Sequence, residues 1–379
     1  MNDYLSARSR LIDASGIRKV FALGAKLKDP VNLSIGQPDF DVPQELKQAA
    51  IEAIEQGFNR YSQTAGEQVL LDSIRQRVRR EFGWNEPAVM ITSGVSGALL
   101  LAFMSLIDPG DEVIVPDPYF VMYKHLIRML GGVCVYVDTY PDFRLPPEKI
   151  RQALTNRTKM IILNSPANPT GAVYTEQEIK AVVEIAAEKD ILVLSDEIYD
   201  MFCYDDPFVS PAKFYDKTLV LKGFGKSYGM TGWRMGYATA SDRLKGLIET
   251  MLKIQQYTFV CAPTPFQIAA AKAGDIDMSG YVNAYRDKRD LMYKGLSGDF
   301  ELVHPAGAFY MFAKVPPQYH SATDFVQKAI ENNVLVIPGN VFSEQDTHFR
   351  ISYATTDEKL RLGIDILSRL ATSGGRNGS

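Results

Sequence analysis

The chain has 379 residues, 46% hydrophobic and 23% charged, with a formal net charge of -4. That balance belongs to an ordinary globular protein with length for two or three folding units and a large core. The mild acidity offers no footing for a nucleic-acid or anionic-membrane partner, and no apolar run approaches the roughly 18 residues of a membrane helix. Cys134, Cys203 and Cys261 lie far apart without metal-type spacing, and no metal is expected. They read as small buried apolar residues in a reducing compartment. The N-terminus lacks an apolar signal core, so a cytoplasmic location is expected.

Residues 1–30 are polar and helical in tone, interrupted by Gly16, Gly24 and Pro30. Val31 to Ile35 is a short extended candidate, followed by the turn-rich loop from Gly36 to Pro43. Pro43 opens a helix with Leu46, Ala50, Ala53 and Ile54 on one face and Gly57 as its stop. From residue 88 to about 240 short apolar runs recur: Val89–Ile91, Glu112–Val115, Val133–Val137, Met160–Leu163, Ile191–Leu194 and Leu219–Leu221. Most intervals are helical in pattern. Gly97 to Ile107 is one, and another starts at Thr175, where Glu178 completes a capping box. This alternation predicts an α/β fold, a mostly parallel sheet covered by helices on both faces.

Ligands of such sheets bind beyond the carboxyl ends of the strands. Five polar clusters fall there: Thr92–Gly94, Pro116–Phe120, Asn164–Pro166, Asp196–Glu197 and Gly223–Lys226. After about residue 285 the rhythm changes. Phe309–Met311, Val334–Ile337 and Phe349–Tyr353 read as strands of a smaller α+β unit. The expected division is a large unit over 46–285 and a small one over 286–371 joined by residues 1–45. The tail 372–379 is expected to be disordered.

The chemistry concentrates between Thr218 and Tyr237. Lys226 follows an apolar run and two glycines, and Arg234 lies eight residues further on. A desolvated amine near other cations has a lowered pKa and becomes a nucleophile, and an arginine fork suits a phosphate. Gly225-Lys226-Ser227 also invites a P-loop reading, but Val220 stands where that motif requires glycine. On position alone Lys226 reads more often as a solvated surface residue, Asp196 as a helix-cap or turn residue and Phe120 as a core residue.

Eight segments in order carry a resemblance: Arg60-Tyr61, Asp108–Val113, Pro118–Phe120, Asn164–Gly171, Ser195–Tyr199, Lys226 with Met230–Arg234, Gly307–Tyr310 and Pro338-Gly339. With Gly36–Phe40 and Arg350–Ala354 at the ends, nearly the whole chain resembles the class I/II aminotransferases of the fold type I pyridoxal-phosphate enzymes. The resemblance implies that Lys226 forms an aldimine with pyridoxal 5'-phosphate and moves a proton between substrate Cα and the cofactor. It implies that Asp196 pairs with the pyridine nitrogen, that Tyr199 and Asn168 bond the 3'-oxygen, and that Phe120 stacks on the ring. Gly94, Val95, Ser96 and Arg234 would hold the phosphate, with Tyr61 reaching it from the neighbouring subunit of a homodimer. Arg350, with Gly36 and Asn168, would bind the substrate α-carboxylate.

The implied activity is ping-pong transfer of an amino group from an L-amino acid to a 2-oxo acid. A C–S β-lyase of the same fold would use the same residues, and a regulator domain of this shape is a third reading. One departure stands out: the family often writes Ser-x-Ser-Lys where this chain has Gly223-Phe224-Gly225-Lys226. Tyr257 or Phe259, in an apolar stretch, is equally a side-chain pocket residue or core.

Overall fold

The first strand, β1 (Val31–Asn32), ends just before the Gly36 loop and is separate from the central sheet. That sheet holds seven strands: β2 (Ala88–Ser93), β3 (Glu112–Asp117), β4 (Val133–Asp138), β5 (Thr158–Asn164), β6 (Leu192–Asp196), β7 (Thr218–Gly223) and β8 (Met235–Ala240). The computed structural model describes residues 4–12, 16, 20, 23, 24 and 27–373. The sheet order is β2-β8-β7-β6-β5-β3-β4, and β8 alone runs antiparallel to its neighbours.

Alternation along the strands explains why their sequences read as continuous apolar runs. In β5, Met160 and Ile162 join the core under one face, and Ile161 and Leu163 join the core under the other. In β6, Leu192 and Leu194 oppose Val193 in the same way. Helices Gly94–Leu106, Val121–Met129 and Lys245–Gln256 feed the first core, and helix Glu176–Glu188 the second. Each fully buried Leu, Ile or Val contributes about 1.5–3 kcal/mol against leaving it exposed, so both faces are needed. With crossovers on both sides, the six strands other than β8 release their carboxyl ends along one rim.

The chain beyond residue 309 builds a smaller sheet from β9 (Tyr310–Lys314), β11 (Ile337–Pro338) and β12 (His348–Ser352), in the order β11-β12-β9. A two-residue strand, β10 (Val334–Leu335), pairs in parallel with β1, which ties the Gly36 loop to this part of the molecule. The second core is continuous from helix Glu176–Glu188 to Phe309, Phe325 and Phe349, so the two sheets share one interior.

The sequence reading departs from the structure in several places. β8 was not anticipated: Met-Gly-Tyr-Ala-Thr-Ala is rich in small residues and follows a glycine-rich motif, which masks its strand character. The run Val334–Ile337 divides between two sheets. The helix expected from Gly97 begins at Gly94. In helix Gln44–Glu55 Ala49 is buried, whereas Ile54 is 47% exposed. The cysteines are free and half-buried rather than core residues. Helix Asp357–Ser373 takes in the first two residues of the expected tail; residues 374–379 lie outside the described residues, as do residues 1–3, 13–15, 17–19, 21–22 and 25–26 of the segment expected to be helical near the N-terminus.

The capping box at Thr175 is present in full: its side chain accepts from the Glu178 N–H, and the Glu178 carboxylate accepts the Thr175 N–H at 2.7 Å. Thr175→Ala removes one half of it. The expected result is a loss of about 1 kcal/mol of stability, read as a lower denaturant midpoint with unchanged far-ultraviolet dichroism.

Candidate active site

β7 stays extended to its last residue, Gly223 (φ -161°), and the chain then turns once in the short helix Phe224–Ser227. That turn delivers Lys226 into a cavity of about 280 Å³. The amine donates a hydrogen bond to the Gly36 carbonyl, from the loop after β1. Desolvation, aided by the cations Arg350 and Arg234, lowers the Lys226 amine to about 8. A larger share of it is therefore neutral at physiological pH than in a surface lysine.

Asp196, the last residue of β6, is 2% exposed, and burial pushes its carboxyl up to about 6. It accepts a hydrogen bond from the Tyr123 hydroxyl at 2.7 Å and a longer one, 3.3 Å, from the Ile198 N–H. Its backbone carbonyl accepts from Asn164 Nδ2 at 3.0 Å, and Asn164 Oδ1 accepts the Asn168 N–H at 3.0 Å. Asn168 Oδ1 in turn accepts from Arg350 Nη1 at 3.0 Å. One chain of hydrogen bonds thus links the backbone of Asp196, through Asn164 and Asn168, to the buried Arg350 guanidinium.

Arg350, on β12, is 1% exposed. Its Nη2 donates to the Ser34 carbonyl at 2.7 Å, and its guanidinium sits between the Tyr310 and Phe342 rings, 4.5 and 4.6 Å from their centroids. No carboxylate pairs with it among the described residues, and its Nε lacks a hydrogen-bond partner. Ring faces and carbonyls offset part of the desolvation. Tyr310 also meets Tyr199, hydroxyl to hydroxyl, at 2.9 Å. Gly36 belongs here for steric reasons: a Cβ would lie 2.8 Å from the Tyr310 hydroxyl.

The opposite end is built for an anion. Helix Gly94–Leu106 starts at the rim, so the amides of its first turn have no acceptor within the helix. Arg234 folds over that start, its Nη2 3.3 Å from the Ser93 carbonyl and its Nη1 3.1 Å from the Thr231 carbonyl. It does so in the left-handed region (φ 58°), uncommon outside glycine and concentrated at functional sites. A Cβ on Gly236 would lie 2.7 to 2.9 Å from the backbone of Gly94 and Val95, so glycine there lets β8 approach the helix start. The two glycines before Lys226 differ. A Cβ at Gly223 would press Ile198 at 2.8 Å, whereas at Gly225 the nearest atom lies 3.7 Å away. The second position is open, whereas at the first the Ile198 side chain would have to shift.

The cavity gathers Gly36, Gly94, Val95, Ser96, Phe120, Asn168, Asp196, Tyr199, Lys226, Arg234 and Arg350, each singled out from the sequence. Tyr61 lies outside it and is 83% exposed. Tyr257 and Phe259 do not line it: the first is 89% exposed, and the second packs 3.7 Å from the Cβ position of Gly97. Their apolar sequence reflects surface and core, not this pocket. Asn164, Ile198, Thr231 and Tyr310 line the cavity and were given no role from the sequence, although all four stand inside segments that carry the resemblance. Tyr123 lies behind the wall.

The profile of the family described as aminotransferase class I and II matches residues 28–367. The chain belongs to the class I and II aminotransferases. A probable aspartate aminotransferase of Methanocaldococcus jannaschii is 38% identical over 97% of this chain and 99% of its own. An aromatic-amino-acid aminotransferase of Thermococcus litoralis is 33% identical over 97% and 98%. The solved aspartate aminotransferase of Thermus thermophilus with maleate superposes with a TM-score of 0.92 at 36% identity, over 97% and 99%. The expected fold holds across the chain, and these relatives bear out transamination in place of the lyase reading.

Behind the aminotransferase site lies a second group of charges. Lys222, 3% exposed on β7, contacts Glu81 at 2.7 Å, Asp200 at 3.1 Å and Glu197 at 3.2 Å. Arg77 joins through Asp200 at 3.0 Å. Against the pull of burial, the surrounding carboxylates hold Lys222 above the ordinary lysine value. Buried ion networks of this kind fix geometry more reliably than they add stability.

Two outcomes follow. Lys226 in cofactor-free protein is expected to react with an aldehyde, trapped by borohydride, with an apparent pKa near 8; a midpoint at the ordinary lysine value contradicts the burial argument. Gly236→Ala is expected to push the Gly94–Val95 backbone outward. Anion affinity then falls on the order of tenfold, about 1.4 kcal/mol, as measured by inorganic phosphate competition.

Proposed function

We propose that this aminotransferase works with pyridoxal 5'-phosphate held covalently by Lys226. It would transfer an amino group from an L-amino acid to a 2-oxo acid in two half-reactions with ping-pong kinetics. The observation that carries this reading is the meeting, in one cavity, of a lysine amine lowered to about 8 and a buried arginine without a carboxylate partner among the described residues.

The side chains present fit that cofactor. Arg234 and the amides at Gly94, Val95 and Ser96 suit a phosphate, Phe120 and Ile198 offer apolar walls for a flat ring, and buried Asp196 suits a protonated ring nitrogen. Tyr199 and Asn168 supply hydrogen-bonding groups for the 3'-oxygen. When bound, the cofactor supplies an electron sink for the charge left on substrate Cα. Arg350 holds the α-carboxylate through its two-nitrogen fork, with Asn168 and Gly36 beside it. Lys226 Nζ would take the proton from Cα, and the Gly36 carbonyl, which accepts from that amine, would keep it oriented. The relatives named for aspartate and for aromatic amino acids share the α-amino carboxylate, the part of a substrate that Arg350 matches.

A homodimer belongs to the same reading. The loop bearing Tyr61 is fastened by Thr264 Oγ1 to the Arg60 carbonyl at 2.7 Å and by Gln267 Nε2 to Ser62 Oγ at 3.0 Å. Exposed Tyr61 thus stands on a firmly held loop, as a residue serving a second copy's phosphate site would. Free thiols at all three cysteines fit a reducing cytoplasm. No helix of the described residues is long and apolar enough to cross a membrane. In this reading residues 1–45 and 286–371 act as one small domain against a large cofactor domain, 46–285.

Lys226→Ala is expected to abolish the near-visible absorbance of bound cofactor and both half-reactions; an unchanged spectrum sinks the proposal. Arg350→Ala is expected to keep that absorbance while kcat/KM falls roughly a hundredfold or more, the scale of removing one partner of a buried charge pair. Sedimentation equilibrium checks the dimer.

A further inference from the structure

Tyr123 plays no part in the site as described above, yet it makes the shortest hydrogen bond to its central carboxylate. Its hydroxyl donates to Asp196 Oδ2 at 2.7 Å, and the other contact to that carboxylate is the 3.3 Å bond from the Ile198 N–H. Tyr123 is 1% exposed, and its ring lies in the core beneath the sheet. A hydroxyl on a buried ring requires an acceptor. Here the acceptor is a carboxylate whose burial disfavours its charge, and the Ile198 N–H and Lys226 are the other groups that favour it.

The helix Val121–Met129 places Tyr123 by a simple device. Phe120 is its N-cap and Tyr123 lies three positions on, so both rings project near the same end of one helix. They meet edge to face, centroids 5.6 Å apart at 84°. The residue that forms a cavity wall and the residue that bonds Asp196 are therefore fixed as a unit.

We propose that Tyr123 is a positioning residue of this aminotransferase: its hydroxyl anchors Oδ2 of Asp196 and keeps that carboxylate ionised for a protonated ring nitrogen. The proposal rests on the reading of Asp196 given under Proposed function. Three ionisable groups face Asp196: Tyr123 from the helix after β3, Tyr199 from the turn after β6 and Lys226 from the turn after β7. Tyr174 lies next to Tyr123 itself. Desolvation raises the Asp196 carboxyl to about 6, and the Tyr123 hydrogen bond is the largest of the influences that oppose it, ahead of the Ile198 N–H and Lys226. Tyr123 itself stays protonated, its phenol held above the ordinary value by burial and by Asp196. It is a donor throughout the working range.

The sign of the effect follows. Without the hydroxyl, protonated Asp196 becomes easier to form, so its titration moves to higher pH. Cofactor retention that needs the carboxylate then fails at a higher pH than in the native protein.

The test uses the full chain loaded with pyridoxal 5'-phosphate. Cofactor dissociation is followed by near-visible absorbance from pH 5 to 9 in the native protein, Tyr123→Phe, Asp196→Asn and the double variant. Phenylalanine keeps the ring in place and deletes only the donor. Tyr123→Phe is expected to release cofactor on the order of tenfold faster than native protein near pH 6.5, and within about twofold of it near pH 8.5. In the Asp196→Asn background the same change is expected to do little. Coincident pH midpoints for native protein and Tyr123→Phe, or equal losses in both backgrounds, overturn the proposal and leave Tyr123 a packing residue. Should Tyr123→Phe fold poorly, Tyr123→Leu is the second variant: it also lacks the donor, and a midpoint at higher pH than the native protein's supports the assignment while a native midpoint opposes it. Native protein that binds no pyridoxal 5'-phosphate overturns the underlying site reading as well, an outcome distinct from coincident midpoints.

Discussion

A guanidinium buried without a counter-ion among the described residues is the constraint from which much of this site follows. Leaving a charge unpaired away from water costs several kcal/mol unless other groups take over the role of solvent. For Arg350 those groups come from separate parts of the chain: the Ser34 carbonyl, the Asn168 amide, and the faces of Tyr310 and Phe342. None can shift without exposing the guanidinium to an apolar void. Because Arg350 belongs to the small sheet and Asn168 follows β5, the bond between them also fixes one sheet against the other. The remaining unsatisfied charge is best met by a carboxylate, which is why this arginine reads as a receptor.

That cation also acts at a distance. With Arg234 it reinforces desolvation in lowering the Lys226 amine to about 8, while desolvation moves Asp196 the other way, to about 6. Between those values Asp196 is largely ionised and Lys226 is partly neutral, roughly a tenth near pH 7 from the Henderson–Hasselbalch relation. A nucleophile and an anion coexist because the same burial shifts an acid and a base in opposite directions.

Much of this was legible in the sequence. Strands that continue apolar on both faces, with polar residues at their ends, are enough to place Asp196 and Lys226 on one rim. The motif segments supplied Arg234, Asn168 and Arg350. What the sequence did not show depends on direction and partner. Tyr123 looks like any core tyrosine until the helix after Phe120 aims its hydroxyl at Asp196. Tyr310 stood in a noted segment, but its contact with Tyr199 needs two sheets to meet. β8 was hidden by its small residues, and the choice between pocket and core for Tyr257 and Phe259 stayed open because apolar character does not say which surface a residue covers. Gly223 and Gly225 looked equivalent, yet the Ile198 side chain crowds one and the other is open.

The neighbours Asp196 and Glu197 carry a last consequence. Strand alternation sends the first toward the cavity and the second, fully buried, toward Lys222 and the hydroxyls of Ser195 and Ser210. Both positions hold an acid, so a one-residue slip would still put a carboxylate on each side of the sheet. It would nonetheless bring Glu197, a methylene longer, to the cavity, and leave Lys222 facing a carboxylate too short to reach it. Length, not charge, therefore sets the register of this strand end, and an insertion or deletion in β6 is a change that lineages of this chain are expected to avoid even where substitutions are common.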